Sequence, residues 1–236
     1  KILFETLEIP LPGYHTVDTC EDLAVAAKKL GLPMVIKTRQ LGYDGKGQFV
    51  VKEVTDFDAA WVALGGGSLI AEQWVEFDYE VSCIGVRNVS GEIAIYPLSQ
   101  NNHVDGILRH SRSPIEAPDL SAKASEYVHR LLDHLDYVGV LALELFVTGN
   151  ELRANEFAPR VHNSGHWTIE GSETSQFENH LRAIMDMPLG STASKGHAGM
   201  INLIGEISDA TRALGVGALH DYGKTPRPGR KLGHVT

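Results

Sequence analysis

The sequence has little of several features that mark common classes of protein. Its 236 residues include only two cysteines, Cys20 and Cys83, in contexts without metal-ligand spacing, so we expect reduced thiols in a cytoplasmic protein. No apolar stretch approaches the roughly 18 residues that suggest a membrane-spanning helix, so we expect no membrane partner. The net charge of -9 argues against nucleic acid as a partner, because phosphate backbones attract clustered lysine and arginine.

The familiar nucleotide-binding motifs are also missing. The segment from Gln40 to Gln48 is rich in glycine and contains Lys46, but it has neither the spacing of a P-loop nor the following helix of a dinucleotide-binding fingerprint. Because it joins two predicted strands, 33–38 and 49–52, it suits a flap whose backbone N–H groups cover phosphates. The alternative is an ordinary Asp-Gly hairpin. The lysines of this region, including Lys37 in a predicted buried strand, favour the flap.

The clearest positive feature is a predicted hairpin that turns at Gly149 and carries one carboxylate in each strand, Glu144 and Glu156. Carboxylates in apolar surroundings are costly to bury without a cation. A three-residue loop ending at Glu151 would place the two side chains opposite each other, and this pair would suit Mg²⁺. A two-residue turn would instead pair Glu144 with Asn155 and send Glu156 to the other face. A hairpin with solvated glutamates is the simpler alternative.

Other polar clusters suit nucleotide chemistry without requiring it. An acidic stretch before a predicted strand fits either a linker that binds adenine and ribose or a solvated loop. A basic run near the end of the chain fits a phosphate clamp if the fold returns it to Arg160, and otherwise a solvated turn. The acidic stretch contains Glu72, Glu76, Asp78 and Glu80; the basic run contains Lys224, Arg227, Arg230 and Lys231; and a predicted loop flanked by His103 and His110 carries Asp105 and Arg109.

The order of these features resembles the ATP-grasp superfamily. A lysine in a strand is followed by a glycine-rich flap, an acidic linker, and two carboxylate-bearing strands with an arginine after them. Three segments are similar, within this superfamily, to the carboxylating ligases of purine biosynthesis. They are GYDGKGQ at 42–48, NEFAPRVHNSGHWT at 155–168 and RPGRKLGHVT at 227–236.

The resemblance covers essentially the whole chain and implies an α+β fold. An ATP-grasp domain at residues 1–190 would consist of two α+β subdomains with mainly antiparallel sheets, a smaller one at about 1–72 and a larger one at about 73–190. A small β-rich subdomain would follow at 191–236. The ligases of this group also carry an N-terminal Rossmann-like domain, which this sequence lacks, so the chain is expected to be a fragment.

The implied activity is an ATP-dependent carboxylation. Bicarbonate would attack the γ-phosphate of MgATP, and the resulting carboxyphosphate would carboxylate the exocyclic amine of 5-aminoimidazole ribonucleotide. ATP and Mg²⁺ are therefore the implied cofactors, the ribonucleotide and bicarbonate the implied substrates, and a homodimer the implied assembly.

The resemblance also implies roles for matching positions. Glu144 and Glu156 would bind the metal. The positions expected to bind ATP are Lys37, Gly42, Gly45, Lys46, Gly47, Gln48, Glu72, Val75, Glu80 and His103. Those expected to bind the other substrates are Tyr43, Asp44, Lys46, Arg160, His162, Asn163, Lys224, Arg230 and Lys231. Among these, Asp44, Lys46, Arg160, His162 and Asn163 would take part in catalysis.

Other classes of protein stay open alongside this interpretation. A different acyl-phosphate ligase, such as a formate-dependent glycinamide ribonucleotide transformylase, would share the flap and the paired glutamates. A catalytically silent nucleotide-binding module would share them too. A metallohydrolase is less attractive, because His162 and His166 have helical spacing but Asn163-Ser164-Gly165 between them is a poor helix without the HExxH glutamate.

Overall fold

A computed structural model describes residues 1–40, 47–213 and 215–236 of the chain. The described residues divide into two compact units. The first comprises Lys1–Phe77 together with Asp105–Ile107, and the second comprises Asp78–Val104 together with Leu108–Thr236. Each unit is built on its own β-sheet.

Within the described residues, the first unit contains a four-stranded antiparallel sheet in the order β1-β4-β2-β3. Its core forms where inward-facing strand residues such as Val17 and Ile36 meet Leu23 and Ala26, one helical turn apart. The strands are β1 (Tyr14–Val17), β2 (Met34–Thr38), β3 (Gln48–Val51) and β4 (Leu69–Gln73). The helices are α1 (Ile2–Thr6), α2 (Asp22–Leu30) and α3 (Phe57–Ala63), and a 3₁₀ turn at Val54–Asp56 precedes α3.

The second unit contains, among the described residues, a nine-stranded sheet in the order β10-β9-β5-β7-β8-β11-β13-β12, with β6 paired to β5. Its strands are β5 (Tyr79–Arg87), β6 (Ile93–Ile95), β7 (Ser99–Val104), β8 (Ile107–Ser113), β9 (Gly139–Thr148), β10 (Glu151–Ala158), β11 (Ala198–Ile204), β12 (Leu219–Asp221) and β13 (Lys231–Val235). Its helices are α4 (Pro118–His134), α5 (Thr168–Gly171), α6 (Gln176–Ile184) and α7 (Asp209–Ala213), with a 3₁₀ turn at Asn163–Gly165.

Helices cover both faces of this larger sheet. Ile84 and Gly85 are consecutive in β5 and therefore face opposite sides. Ile84 belongs to a buried cluster with Ala183 of α6, whereas a Cβ atom at Gly85 would lie 2.5 Å from the Val128 side chain of α4. Beyond the apolar cluster, the face that carries Ile84 becomes polar, and Ser82 and Glu80 lie along it.

The expected α+β class with antiparallel sheets is confirmed. The loop predicted between His103 and His110 is wrong, because His103 lies in β7 and His110 in β8, and the turn is only Asp105-Gly106, both with positive φ. The sequence of β7, SQNNHV, has no apolar alternation and so carries no strand signal. Among the described residues, no helix combines the length and apolarity needed to cross a membrane.

Candidate active site

The hairpin of β9 and β10 pairs the two glutamates in an unexpected way. Its turn has two residues, because Thr148 already lies opposite Glu151, and Gly149 takes a positive φ of 57° as such turns require. That register would continue to Asn155 opposite Glu144, but a bulge between Ala154 and Glu156 shifts it by one residue. Glu156 therefore lies opposite Glu144, as predicted, although the three-residue loop proposed to achieve this does not form.

Glu144 is mostly buried, with 14% of its side chain exposed, whereas Glu156 is exposed. The pKa of Glu144 is raised to about 7, mainly by burial and also by the charges of Glu156 and Glu80, while the charges of His103 and Lys231 oppose this shift. The positive charge around Glu144 is therefore too small to offset the cost of burying its ionised carboxylate. A cation between Glu144 and Glu156 would supply that charge.

A second acidic group lies on the neighbouring strands. Glu80 of β5 accepts a short hydrogen bond from His103 of β7, with 2.6 Å between Oε2 and Nδ1. Burial alone would lower the pKa of His103, but this bond and the charges of Glu80 and Glu144 raise it above its ordinary value. The hydrogen bond from the imidazole thus holds the Glu80 carboxylate in one orientation, and protonation of the ring, which the raised pKa favours, would neutralise part of the acidic cluster.

The loop after β10 is fixed against the sheet by side-chain hydrogen bonds. The buried amide of Gln176 accepts from the backbone N–H of His162 and donates to its carbonyl, at 3.0 and 2.7 Å. Asn163 and Asn202 exchange two side-chain hydrogen bonds of 3.0 and 2.6 Å. With Nδ1 of His162 bonded to Ser164, its Nε2 lies 3.4 Å from Glu144. His162 is therefore held beside the paired carboxylates.

Among the described residues, four lysine and arginine side chains were predicted to bind the substrates other than ATP, and only one of them is shown to interact with the paired glutamates. Lys231 begins β13 and acts electrostatically on Glu144 and His103. Arg160 is exposed and donates to the carbonyl of the next residue, and Arg230 donates to the carbonyl of Thr225. Lys224 places its ammonium 4.9 Å from the centre of the Tyr222 ring. The structure thus brings Lys231 to the carboxylates and leaves the roles of the other three as predictions.

In the first unit, Glu72 forms an ion triad with two lysines. Its carboxylate oxygens lie 2.9 Å from Nζ of Lys37 and 3.1 Å from Nζ of Lys1. Burial would raise the pKa of Glu72, but the two lysines outweigh it and lower the pKa. Glu72 is therefore a buried, charged residue of β4, and not part of a solvated acidic loop. Val75 follows the end of this strand and is half-buried.

The base of the predicted flap is described, but its tip is not. The strands on either side, β2 and β3, pair antiparallel, and Gln48 lies opposite Lys37. The carbonyl of Gly47 accepts a hydrogen bond from the N–H of Thr38, and its φ of 76° suits glycine. Five of the predicted positions lie outside the described residues: Gly42, Tyr43, Asp44, Gly45 and Lys46.

Sequence reasoning missed the residues that position the site. Gln176 and Asn202 fix His162 and Asn163, yet each is an isolated polar residue in an otherwise ordinary helix or strand. Their only signal is burial, which a single sequence does not reveal.

Comparison with known proteins found both family models and relatives that match this chain. The family model described as ATP-grasp domain matches residues 2–177, and the one described as phosphoribosylaminoimidazole carboxylase C-terminal domain matches residues 198–236. The N5-carboxyaminoimidazole ribonucleotide synthase of Pseudomonas aeruginosa is 50% identical over 238 residues, which cover 100% of this chain and 66% of that protein. The chain therefore spans slightly less than two thirds of this relative.

Two solved structures show the same likeness in three dimensions. The N5-carboxyaminoimidazole ribonucleotide synthetase of Thermus thermophilus is similar at 52% identity with a TM-score of 0.93, covering 100% of this chain and 65% of that one. The N5-carboxyaminoimidazole synthase of Aspergillus clavatus, solved with ADP and 5-aminoimidazole ribonucleotide, is 30% identical with a TM-score of 0.89. The match covers 99% of this chain and 65% of that one.

Proposed function

The chain belongs to the ATP-grasp family, and on that premise we propose that the protein carrying it is an ATP-dependent ligase of purine biosynthesis. Its reaction is the carboxylation of 5-aminoimidazole ribonucleotide with bicarbonate, which gives N5-carboxyaminoimidazole ribonucleotide, ADP and phosphate. The observation that carries this proposal is the direct pairing of Glu144 with Glu156 in a chain that is similar along its whole length to synthases of this product.

The paired glutamates suit Mg²⁺ by their chemistry. Mg²⁺ prefers oxygen ligands and commonly binds one or two carboxylates together with substrate phosphates. Glu144 is mostly buried and has a raised pKa, so a bound cation would stabilise its ionised form. Glu156 is exposed beside it, so the cation could enter from solvent on that side. We assign both as the metal ligands. The ion would neutralise charge on the transferred phosphoryl group.

The nucleotide positions follow from the family and from the charges around them. Lys37, Gly47 and Gln48, with Gly42, Gly45 and Lys46, would bind the phosphates. Glu72 and Val75 would border the adenine. Glu80 would accept hydrogen bonds from the ribose hydroxyls, for which the bond from His103 holds its carboxylate in place. The Aspergillus clavatus relative solved with ADP supports ATP as the phosphoryl donor.

The proposed chemistry needs alignment and charge neutralisation more than a strong base, because bicarbonate is already anionic. An oxygen of bicarbonate attacks the γ-phosphorus, the bond to the bridging oxygen of ADP breaks, and carboxyphosphate forms. The exocyclic amine then attacks the carboxyl carbon, phosphate leaves, and the amine loses a proton. Arg160, always charged and planar, would hold bicarbonate and carboxyphosphate.

The second substrate would be held by the remaining predicted positions. His162 and Asn163 are fixed by their hydrogen bonds and would contact the ribonucleotide, with Asp44 a candidate to receive the amine proton. Tyr43 and Lys46 would contact the same substrate, and its ribose phosphate would be bound by Lys224, Arg230 and Lys231.

The test measures ADP release by the intact protein. We expect turnover with 5-aminoimidazole ribonucleotide and bicarbonate, and none with glycinamide ribonucleotide and formate. Turnover only with glycinamide ribonucleotide and formate would show that the protein is the related formate-dependent ligase. No turnover with either pair of substrates would indicate a catalytically silent nucleotide-binding module.

Glu156→Gln should lower the bicarbonate-dependent rate at least about 100-fold, whereas Glu151→Gln, exposed at the far end of the same strand, should not. Equal rates in both variants would contradict the metal assignment.

We also propose a cytoplasmic location and a homodimer, both of which stay predictions. The location is supported by the chemistry of the proposed substrates and by both cysteines, Cys20 and Cys83, being free thiols. The acidic net charge of -9 continues to argue against a nucleic-acid partner.

A further inference from the structure

A second cluster of possible metal ligands lies on β12, β13 and α5. His220 and His234 are direct partners across the antiparallel pair β12–β13, and their rings stack with centroids 4.4 Å apart. Glu170 of α5 reaches the same place, with its Oε1 2.7 Å from Nε2 of His220. One ligand atom from each of the three residues lies within 4.8 Å of the other two.

Two atoms of this cluster are buried without a hydrogen-bond partner among the described residues. They are Nε2 of His234 and Oε2 of Glu170. His234 is 2% exposed, so its ring is enclosed by protein while Nε2 makes no bond that would compensate for its burial. An unsatisfied buried polar atom costs about 1–3 kcal/mol, so its retention calls for an explanation.

The surroundings of His234 fit a metal ligand. Its other nitrogen, Nδ1, is hydrogen-bonded to the hydroxyl of Tyr222 at 2.7 Å, which orients the ring and leaves Nε2 as the nitrogen without a hydrogen bond. The ring of His166 also packs near the ring of His234, with 5.2 Å between their centroids.

We propose that Glu170, His220 and His234 bind a divalent transition-metal ion of the Zn²⁺ type. Two imidazole nitrogens and one carboxylate oxygen are a common ligand set for Zn²⁺, and three protein ligands leave one position open for water or another small ligand. His220 and His234 are on paired strands, which hold their backbones in place, and their stacked rings would turn so that a nitrogen of each points at the ion. His220 and Glu170 are each about one-third exposed, so the ion can enter from solvent.

This site is chemically distinct from the paired glutamates of the candidate active site. Glu144 and Glu156 offer oxygen ligands alone, which suit Mg²⁺, whereas imidazole nitrogen favours Zn²⁺. The proposal uses no step of the carboxylation reaction. Its success or failure is therefore separate from that of the proposed function.

The experiment titrates the full chain, stripped with a chelator, with Zn²⁺ in competition with a chromophoric chelator. We expect one strongly bound ion per chain. His220→Ala and Glu170→Gln should each weaken this binding at least tenfold. His197→Ala, which removes an exposed histidine outside the cluster, should leave it unchanged. Co²⁺ should give the visible absorption of a low-coordinate nitrogen–oxygen site, and both ligand variants should lose it.

The main variants change the two partly exposed residues, because replacing the buried His234 risks the fold. Circular dichroism must show that both variants remain folded without metal. Wild-type Zn²⁺ affinity in both folded variants would overturn the proposal. So would the absence of a strong site in the wild type, or an equal loss of binding in His197→Ala.

Discussion

Replacing Glu144 with glutamine should stabilise the protein in the absence of divalent metal. The carboxyl group of Glu144 is mostly buried, and burial raises its pKa in the folded chain to about 7. In the unfolded chain the pKa returns to about 4.3. Ionisation therefore favours the unfolded state, and wild-type stability falls as the pH rises from about 4 to 7. Glutamine keeps the shape of the side chain and removes the charge.

The size of this effect follows from the difference between the two pKa values. Each unit corresponds to 1.36 kcal/mol, so Glu144→Gln should be more stable than the wild type by about 4 kcal/mol at pH 8. Near pH 4 the carboxyl group is mostly protonated in both states, and the difference should shrink to a few tenths of a kcal/mol. The predicted gain therefore depends on pH in a way that a packing change would not.

The assay is urea unfolding followed by circular dichroism at pH 4 and pH 8, with a chelator present. Glu151→Gln, an exposed residue of the same hairpin, serves as the matched control and should change little at either pH. Adding Mg²⁺ at pH 8 should stabilise the wild type more than Glu144→Gln, because only the wild type carries both carboxylates. A variant that is no more stable than the wild type at pH 8 without metal would refute the reasoning.

Three further predictions concern other parts of the molecule. Gly85→Ala should destabilise the chain by about 1–3 kcal/mol in urea, since its Cβ would lie 2.5 Å from a valine of α4, whereas Gly199→Ala has free space and should not. Lys37→Ala should lower the free energy of unfolding by about 1–3 kcal/mol at pH 7, because it removes one partner of the buried Glu72 carboxylate. Since the folded pKa of Glu72 is lowered, this loss should shrink below about pH 4, where the carboxyl group becomes protonated. A loss that is the same at every pH would argue against the ion triad. The thiol of Cys83 is buried with its pKa raised to about 12, so Ellman's reagent at pH 8 should label it only after unfolding, and rapid labelling of the native protein would contradict this.

The two proposed metal sites illustrate how one sheet can carry different chemistries. Strands β9 and β10 present carboxylates from adjacent positions, and strands β12 and β13 present imidazoles. In both cases the strand pairing sets which side chains meet, and buried groups without full compensation indicate where a cation would bind. Ligand type then separates a Mg²⁺ site from a Zn²⁺ site.

Local features of the sequence were enough for much of the fold and for the family. The helical spacing of Leu23 and Ala26 and the glycine at the hairpin turn act over a few residues, so they can be recognised without the rest of the chain. The segments at 42–48, 155–168 and 227–236 carried the resemblance to the ATP-grasp superfamily, which the family comparison confirmed. The hairpin that carries Glu144 and Glu156 was also recognised in this way, although the loop length from which their pairing was predicted is wrong.

Only the tertiary structure decided how distant residues meet. The bulge before Glu156 changed the register that the two-residue turn implied, and no local signal marks it. Glu72 meets Lys37 from 35 positions away, and Glu170 meets His220 from 50 positions away, so these contacts arise from strand order and helix packing. Short-range propensity sets which elements form, whereas burial, strand pairing and the charges that share a site depend on the whole folded chain.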